Sequence, residues 1–214
     1  MGSYLSGLCA MLKRPWPDNR TLNIVCHGHS VPAGYFQTPT VDTMNAYPHL
    51  LHAQLAKRFP QAVINVIVTA IGGETSESGA ARFEVEVLTH RPDLITIDYG
   101  LNDRRIGLEM ARSSWVSMIE KALSKDIKII LLTPTGDMSA SLEDASDPLN
   151  QHAELIRALA REYGVGLVDS LAAFQGYLRE GGSLPALMSQ GNHPNRAGHD
   201  LVVRELLKWF PEGD

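Results

Sequence analysis

The stretch DLITIDYGLND, residues 93–103, decides the fold. Its first eight residues form a strand that is apolar on both faces and closes on Gly100. A strand with one wet face alternates polar and apolar side chains, whereas a strand covered on both faces does not. The same signature recurs outward in both directions. Upstream are the strand runs LNIVCHG (22–28) and AVINVIVTAI (62–71). Downstream are DIKIILLTPT (126–135) and VGLVDS (165–170). Between and after them lie segments with apolar residues at helical spacing: 46–59, 75–91, 108–125, 150–164, 170–180 and 195–210. Five covered strands, each followed by a helix, predict an α/β fold with a five-stranded parallel sheet and helices on both sides.

The remaining composition fits one soluble domain. The chain has 214 residues, 44% hydrophobic and 20% charged, enough to bury a core without disulfides or metals. Residues 1–20 read as a loosely packed N-terminal arm and 21–214 as the domain. The net charge of −5 argues against nucleic acid and anionic membrane as partners, because both demand a positive footprint. Cys26 lies inside a strand run and reads as a packed free thiol. No apolar run reaches the length of a spanning helix, and no exporting segment is visible. The expected location is cytoplasmic, or extracellular if a leader was trimmed. Oligomeric state is not legible.

In a parallel sheet the strand C-termini share one edge, where ligands bind. Ser30 follows the first strand, Gly72 and Gly73 the second, and Gly100-Leu101-Asn102-Asp103 the third, while His193 precedes the last helix. These are the parts of a nucleophilic site. A serine hydroxyl needs a base to take its proton, and histidine titrates in the right range. The oxyanion then needs donors already in place: the N–H groups of Ser30 and Gly73, and the Asn102 amide. Arg104 and Arg105 lie close enough to the same edge to contact a polar substrate. The long loop TGDMSASLEDASDPLN (135–150) follows the fourth strand on that edge.

Four blocks in this order resemble the SGNH (GDSL-type) esterases and acylhydrolases: GHSVPAG (28–34), AIGGETSESG (70–79), GLND (100–103) and NHPNRAGH (192–199). The resemblance covers about residues 22–210. It implies a flavodoxin-like three-layer α/β/α sandwich, no metal or other cofactor, and ester hydrolysis through an acyl-enzyme. It makes Ser30 the nucleophile, Gly73 and Asn102 oxyanion donors and His193 the base. Two positions depart from the family pattern. His29 stands where an aspartate usually precedes the serine, and Gln190 stands where the family acid precedes the histidine by three residues. A Ser30–His193 dyad is therefore expected, with Gln190 the first candidate to accept the Nδ1–H of His193. A carboxylate from elsewhere or a backbone carbonyl are the alternatives. The polar character of the edge favours acetyl or other short esters of a small polar or carbohydrate alcohol.

Two other readings stand beside this one. His27 and His29 form a His-x-His pair that, joined by Asp98 or Asp169, would suit a metal-dependent hydrolase. The missing acid also allows an inactive SGNH-like binding domain. His199 reads as structural within the last helix, and Asp103 as a helix cap.

Overall fold

The computed structural model describes residues 4–211. Its elements are α1 (Ser6–Leu12), β1 (Thr21–Gly28), α2 (Ser30–Ala33), α3 (Tyr47–Arg58), β2 (Val63–Val68), α4 (Ser76–Glu86), β3 (Leu94–Asp98), α5 (Gly100–Asp103), α6 (Gly107–Leu123), β4 (Lys128–Leu132), α7 (Pro148–Tyr163), β5 (Gly166–Val168), α8 (Ser170–Arg179), β6 (Met188–Gln190), β7 (His193–Pro194) and α9 (Arg196–Leu207). The five main strands pair in parallel in the order β2-β1-β3-β4-β5, the flavodoxin-like order. β6 and β7 form a separate antiparallel pair.

Alternate residues of each strand feed two cores. Leu22, Ile24 and Cys26 of β1 pack with α1, α3, α8 and α9 on one face. Val25 of β1, with Ile95 and Ile97 of β3, packs with α4, α6 and much of α7 on the other. This is the expected three-layer sandwich. Both cysteines are free and buried, and burial pushes the Cys26 thiol up to about 12.

Several boundaries differ from the sequence reading; the fourth strand, expected over 126–135, spans Lys128–Leu132. Residues 4–12 are not a loose arm. α1 and its N-cap residue Leu5 insert Leu5, Leu8, Cys9 and Leu12 into the core, and burying each leucine contributes about 1.5–3 kcal/mol. The spacing 5, 8, 9, 12 is a helical stripe, which the nearby prolines obscured. Residues 1–3 of that arm, like 212–214 at the other end, lie outside the described residues. The second strand ends at Val68 rather than 71, although Thr69 and Ile71 still donate to the Cys26 and Gly28 carbonyls of β1 at 3.0 Å each. The helix expected over 75–91 ends at Glu86, and a 3₁₀ turn over Leu88–His90 completes the connection. No helix among the described residues is long and apolar enough to cross a membrane.

The strand order reverses between β1 and β3, because β2 lies outside β1 while β3 and β4 continue on the other side. In open sheets of this kind ligands bind at that switch point, in the crevice beyond the strand C-termini. Ser30 leaves β1 there and Asn102 leaves β3 there.

Candidate active site

Ser30 begins the four-residue helix α2 and is nearly buried. The turn closes on Gly34, whose φ of +92° and close approach to Thr43 exclude a side chain: an added Cβ would lie 2.6 Å from Thr43 Cα. His193 arrives from β7, and its Nε2 lies 2.9 Å from Ser30 Oγ. Residues 163 positions apart in sequence are thus held at hydrogen-bond distance.

The other nitrogen of His193 decides the tautomer. Nδ1 lies 2.9 Å from the carbonyl oxygen of Phe36, which can only accept. Nδ1 therefore carries the hydrogen, and Nε2 is left bare to accept from the serine hydroxyl. Gln190 is also present, but not as expected. Its Oε1 accepts from the backbone N–H of Thr38 at 2.8 Å, so its amide nitrogen faces Nδ1, at 2.9 Å. The acceptor for Nδ1–H is thus the backbone carbonyl, and Gln190 straps the 36–38 turn across the ring. Sequence could not name Phe36, because any residue carries a carbonyl. Burial holds the His193 pKa below its ordinary value, and the Phe36 carbonyl pulls it partly back.

The second loop bends at Gly73, which has φ +82° and open space around its α-carbon. Asn102 in α5 donates one amide hydrogen to the Glu74 carbonyl at 2.8 Å. Several contacts fix these two segments to each other. Arg105 donates to the carbonyl of Gly73. Asp103, fully buried, accepts from the Ser76 N–H and from Trp115 Nε1, both at 2.7 Å. It thereby caps α4, a different helix from the one it sits in. Burial raises the Asp103 pKa, and the Ser76 and Trp115 hydrogen bonds oppose that rise. Glu74 takes a bidentate grip from Arg82, with contacts of 2.6 to 3.1 Å. The pairing of Glu74 with Arg82 eight residues on was not read from the sequence, since both look like ordinary surface charges.

The histidine pair does not converge. His27 Nδ1 meets Thr69 Oγ1 at 3.0 Å, while its Nε2 meets the Gly79 carbonyl at 3.2 Å and the Tyr99 hydroxyl at 3.0 Å. Burial, aided by the Arg82 charge, drives its pKa to about 3. His29 Nδ1 instead accepts from Val31 N–H at 3.2 Å, capping α2. Asp169 pairs with Arg157 and caps α8. Among the described residues no group of three or more His, Cys, Asp and Glu side chains could hold a metal ion. His199 is structural, but its Nδ1 accepts from Tyr47 N–H at the start of α3 rather than within its own helix. Burial holds it near a pKa of about 3.

Arg104 is committed to Asp137 of the long loop at 2.5 Å. With Arg105, Asn102, Ser139, Asp147 and Asn192 it lines a polar groove of about 530 Å³ beside the crevice. Tyr35 forms another wall: its ring lies 6.1 Å from that of His193, and an added Cβ on Gly72 would come within 3.0 Å of it.

A flavodoxin-order sheet carrying these segments at its switch point has the architecture of an SGNH hydrolase. The acetyl-xylooligosaccharide esterase mutant of a Geobacillus protein superposes with a TM-score of 0.78 at 22% identity, covering 92% of this chain and 96% of that one. A two-domain esterase active on acetylated mannans superposes with a TM-score of 0.77 at 22% identity, covering 97% of this chain and 52% of that one. Residues 26–201 match the GDSL-like Lipase/Acylhydrolase family. The chain belongs to that family and is a carboxylic ester hydrolase. By sequence it is 28% identical to an acetylxylan esterase of Geobacillus stearothermophilus, over 70% of this chain and 74% of that one. It is also 28% identical to the esterase TesA of Pseudomonas aeruginosa, over 78% of each.

Proposed function

We propose that the chain hydrolyses acetyl or similarly short esters of a small polar or carbohydrate alcohol, through an acyl-enzyme on Ser30. The observation that carries this reading is the 2.9 Å contact between Ser30 Oγ and His193 Nε2, with Nδ1–H directed to the Phe36 carbonyl. Ser30 Oγ attacks the ester carbonyl carbon while Nε2 takes its proton. The carbonyl oxygen becomes an oxyanion held by the N–H groups of Ser30 and Gly73 and the free hydrogen of the Asn102 amide. The imidazolium returns the proton to the departing alcohol, and water, activated by the same nitrogen, releases the acid.

The dyad works without a carboxylate behind the histidine because the Phe36 carbonyl sets the tautomer. Loss of tautomer control is the larger part of what a triad suffers when its aspartate becomes an amide. Tyr35 packs over Gly72 beside His193, and a bulky ring at that place favours a short acyl group. The groove lined by Arg104, Arg105, Asn192 and Ser139 offers both donors and acceptors to a hydroxylated alcohol. The kinship to an acetylxylan esterase supports the same substrate class.

The test is covalent labelling by a fluorophosphonate together with turnover of p-nitrophenyl acetate. Wild-type protein is expected to label once and to turn over, and Ser30→Ala to do neither. Labelling that survives in Ser30→Ala removes the nucleophile from this reading.

A further inference from the structure

A second imidazole reaches the nucleophile. His29 Nδ1 lies 3.5 Å from Ser30 Oγ and 3.2 Å from the Val31 N–H. A backbone N–H only donates, so Nδ1 of His29 is unprotonated and its ring hydrogen sits on Nε2. That Nε2 is buried with no hydrogen-bond partner of normal geometry. The polar group it faces is the Asp98 carboxylate, Oδ1 at 3.4 Å. Asp98 ends β3 and is 3% exposed. Its backbone carbonyl also accepts from the His29 N–H, at 3.3 Å. Asp98 thus bonds the His29 main chain with its own carbonyl and faces the His29 ring with its carboxylate.

We infer that Asp98 and His29 act as a positioning pair for Ser30. The inference rests on reading Ser30 as the nucleophile. The Asp98 charge favours the Nε2–H tautomer of His29. That tautomer presents a bare Nδ1 to cap the first turn of α2 at Val31. A four-residue helix has too few internal bonds to hold its own shape, so this cap fixes the direction of the Ser30 N–H and the placement of Oγ. The lone pair of Nδ1 is committed to Val31, and the serine proton takes the shorter path to His193. His29 therefore orients the serine and does not receive its proton. The two departures from the family pattern complement each other. The carboxylate absent behind His193 has a counterpart beneath Ser30, where a carboxylate–imidazole pair occupies the place of the family's single aspartate.

Two variants test the pair. His29→Ala removes the cap on Val31 together with the ring that faces Asp98. Asp98→Asn keeps the shape and removes the charge. Both are expected to lower kcat for p-nitrophenyl acetate about 10- to 100-fold, the effect of a small misplacement of a reacting atom, with KM changed less than about threefold. The rate of fluorophosphonate labelling should fall in parallel, measured per folded molecule by circular dichroism. His29→Asp, which returns a carboxylate cap, should recover part of kcat. Wild-type kcat and labelling rates in both His29→Ala and Asp98→Asn would overturn the pair while leaving Ser30 as nucleophile. A rise in KM with kcat intact would overturn it equally. Failure of the nucleophile reading has a different signature, because Ser30→Ala would then still be labelled.

Discussion

Replacing Gln190 by glutamate probes the histidine's support directly. The side chains have the same length, so one carboxylate oxygen can keep the Thr38 N–H, now held by Oε1 at 2.8 Å. The other then occupies the place of the amide nitrogen, 2.9 Å from His193 Nδ1. In the wild type that nitrogen is a donor facing a ring nitrogen that already donates to Phe36, an arrangement that does nothing for the imidazolium. In Gln190→Glu an acceptor bearing a full charge faces Nδ1–H. Unit charges about 4 Å apart at an effective dielectric near 20 attract by about 4 kcal/mol. Desolvation of the new carboxylate and the half-open position of residue 190 reduce this. A rise of about one to three pH units in the His193 pKa remains, as for other close opposite charges. The sign follows from the role of the residue. In its proposed role as base His193 must be neutral, so kcat/KM falls as pH drops through its pKa in the free enzyme. Burial sets that pKa below 6.5 in the wild type, so activity should persist below that pH. In Gln190→Glu the acidic limb should move upward by the stated amount, with the plateau rate at high pH retained or raised. The assay is the pH profile of kcat/KM with p-nitrophenyl acetate. An acidic limb that stays in place, or moves down, would refute the placement of Gln190 against Nδ1.

Two further outcomes follow from the second and third loops. Asn102→Ala should lower kcat by about 10²–10³ with little change in KM, the cost of one oxyanion donor, read from steady-state kinetics. Asp103→Asn should destabilise the fold despite its near-identical shape. Asp103 accepts two buried N–H groups, and an amide would turn a donor toward one of them. The loss, net of relief from a buried charge, is about 1–3 kcal/mol, or roughly 3–10 °C in Tm for a chain of this size, measured by thermal unfolding.

The legible parts of this protein are those that depend on side-chain type and period. Continuous apolar runs such as LITID gave the buried parallel strands, and topology then brought Ser30, Asn102 and the Gly73 loop to one edge. The fit of His193 to Ser30 was legible only because the family blocks fixed which histidine to consider. What escaped was built from groups that sequence does not distinguish. The Phe36 carbonyl is a main-chain atom in a turn whose approach to His193 depends on tertiary packing, including its ring against His199 at 5.2 Å. Asp103 read as a cap, which it is, but its helix is α4, which starts 27 residues upstream in sequence.

The pairing of α4 with α5 through Asp103 fixes the Gly73 loop and the Asn102 segment to each other without a ligand. Asp103 anchors the N-terminus of α4, Asn102 beside it holds Glu74, and Arg105 two residues on holds the Gly73 carbonyl. Three of the four consecutive residues 102–105 thus grip the Gly73 loop and the start of α4, while Arg104 turns the other way to Asp137. A donor fixed in this manner is already oriented when charge develops on the substrate oxygen, and such preorganisation is what gives an oxyanion hole its effect. In the proposed reaction the asparagine–aspartate pair divides its labour within one helical turn: the amide serves the oxyanion, and the buried carboxylate keeps that amide where it is.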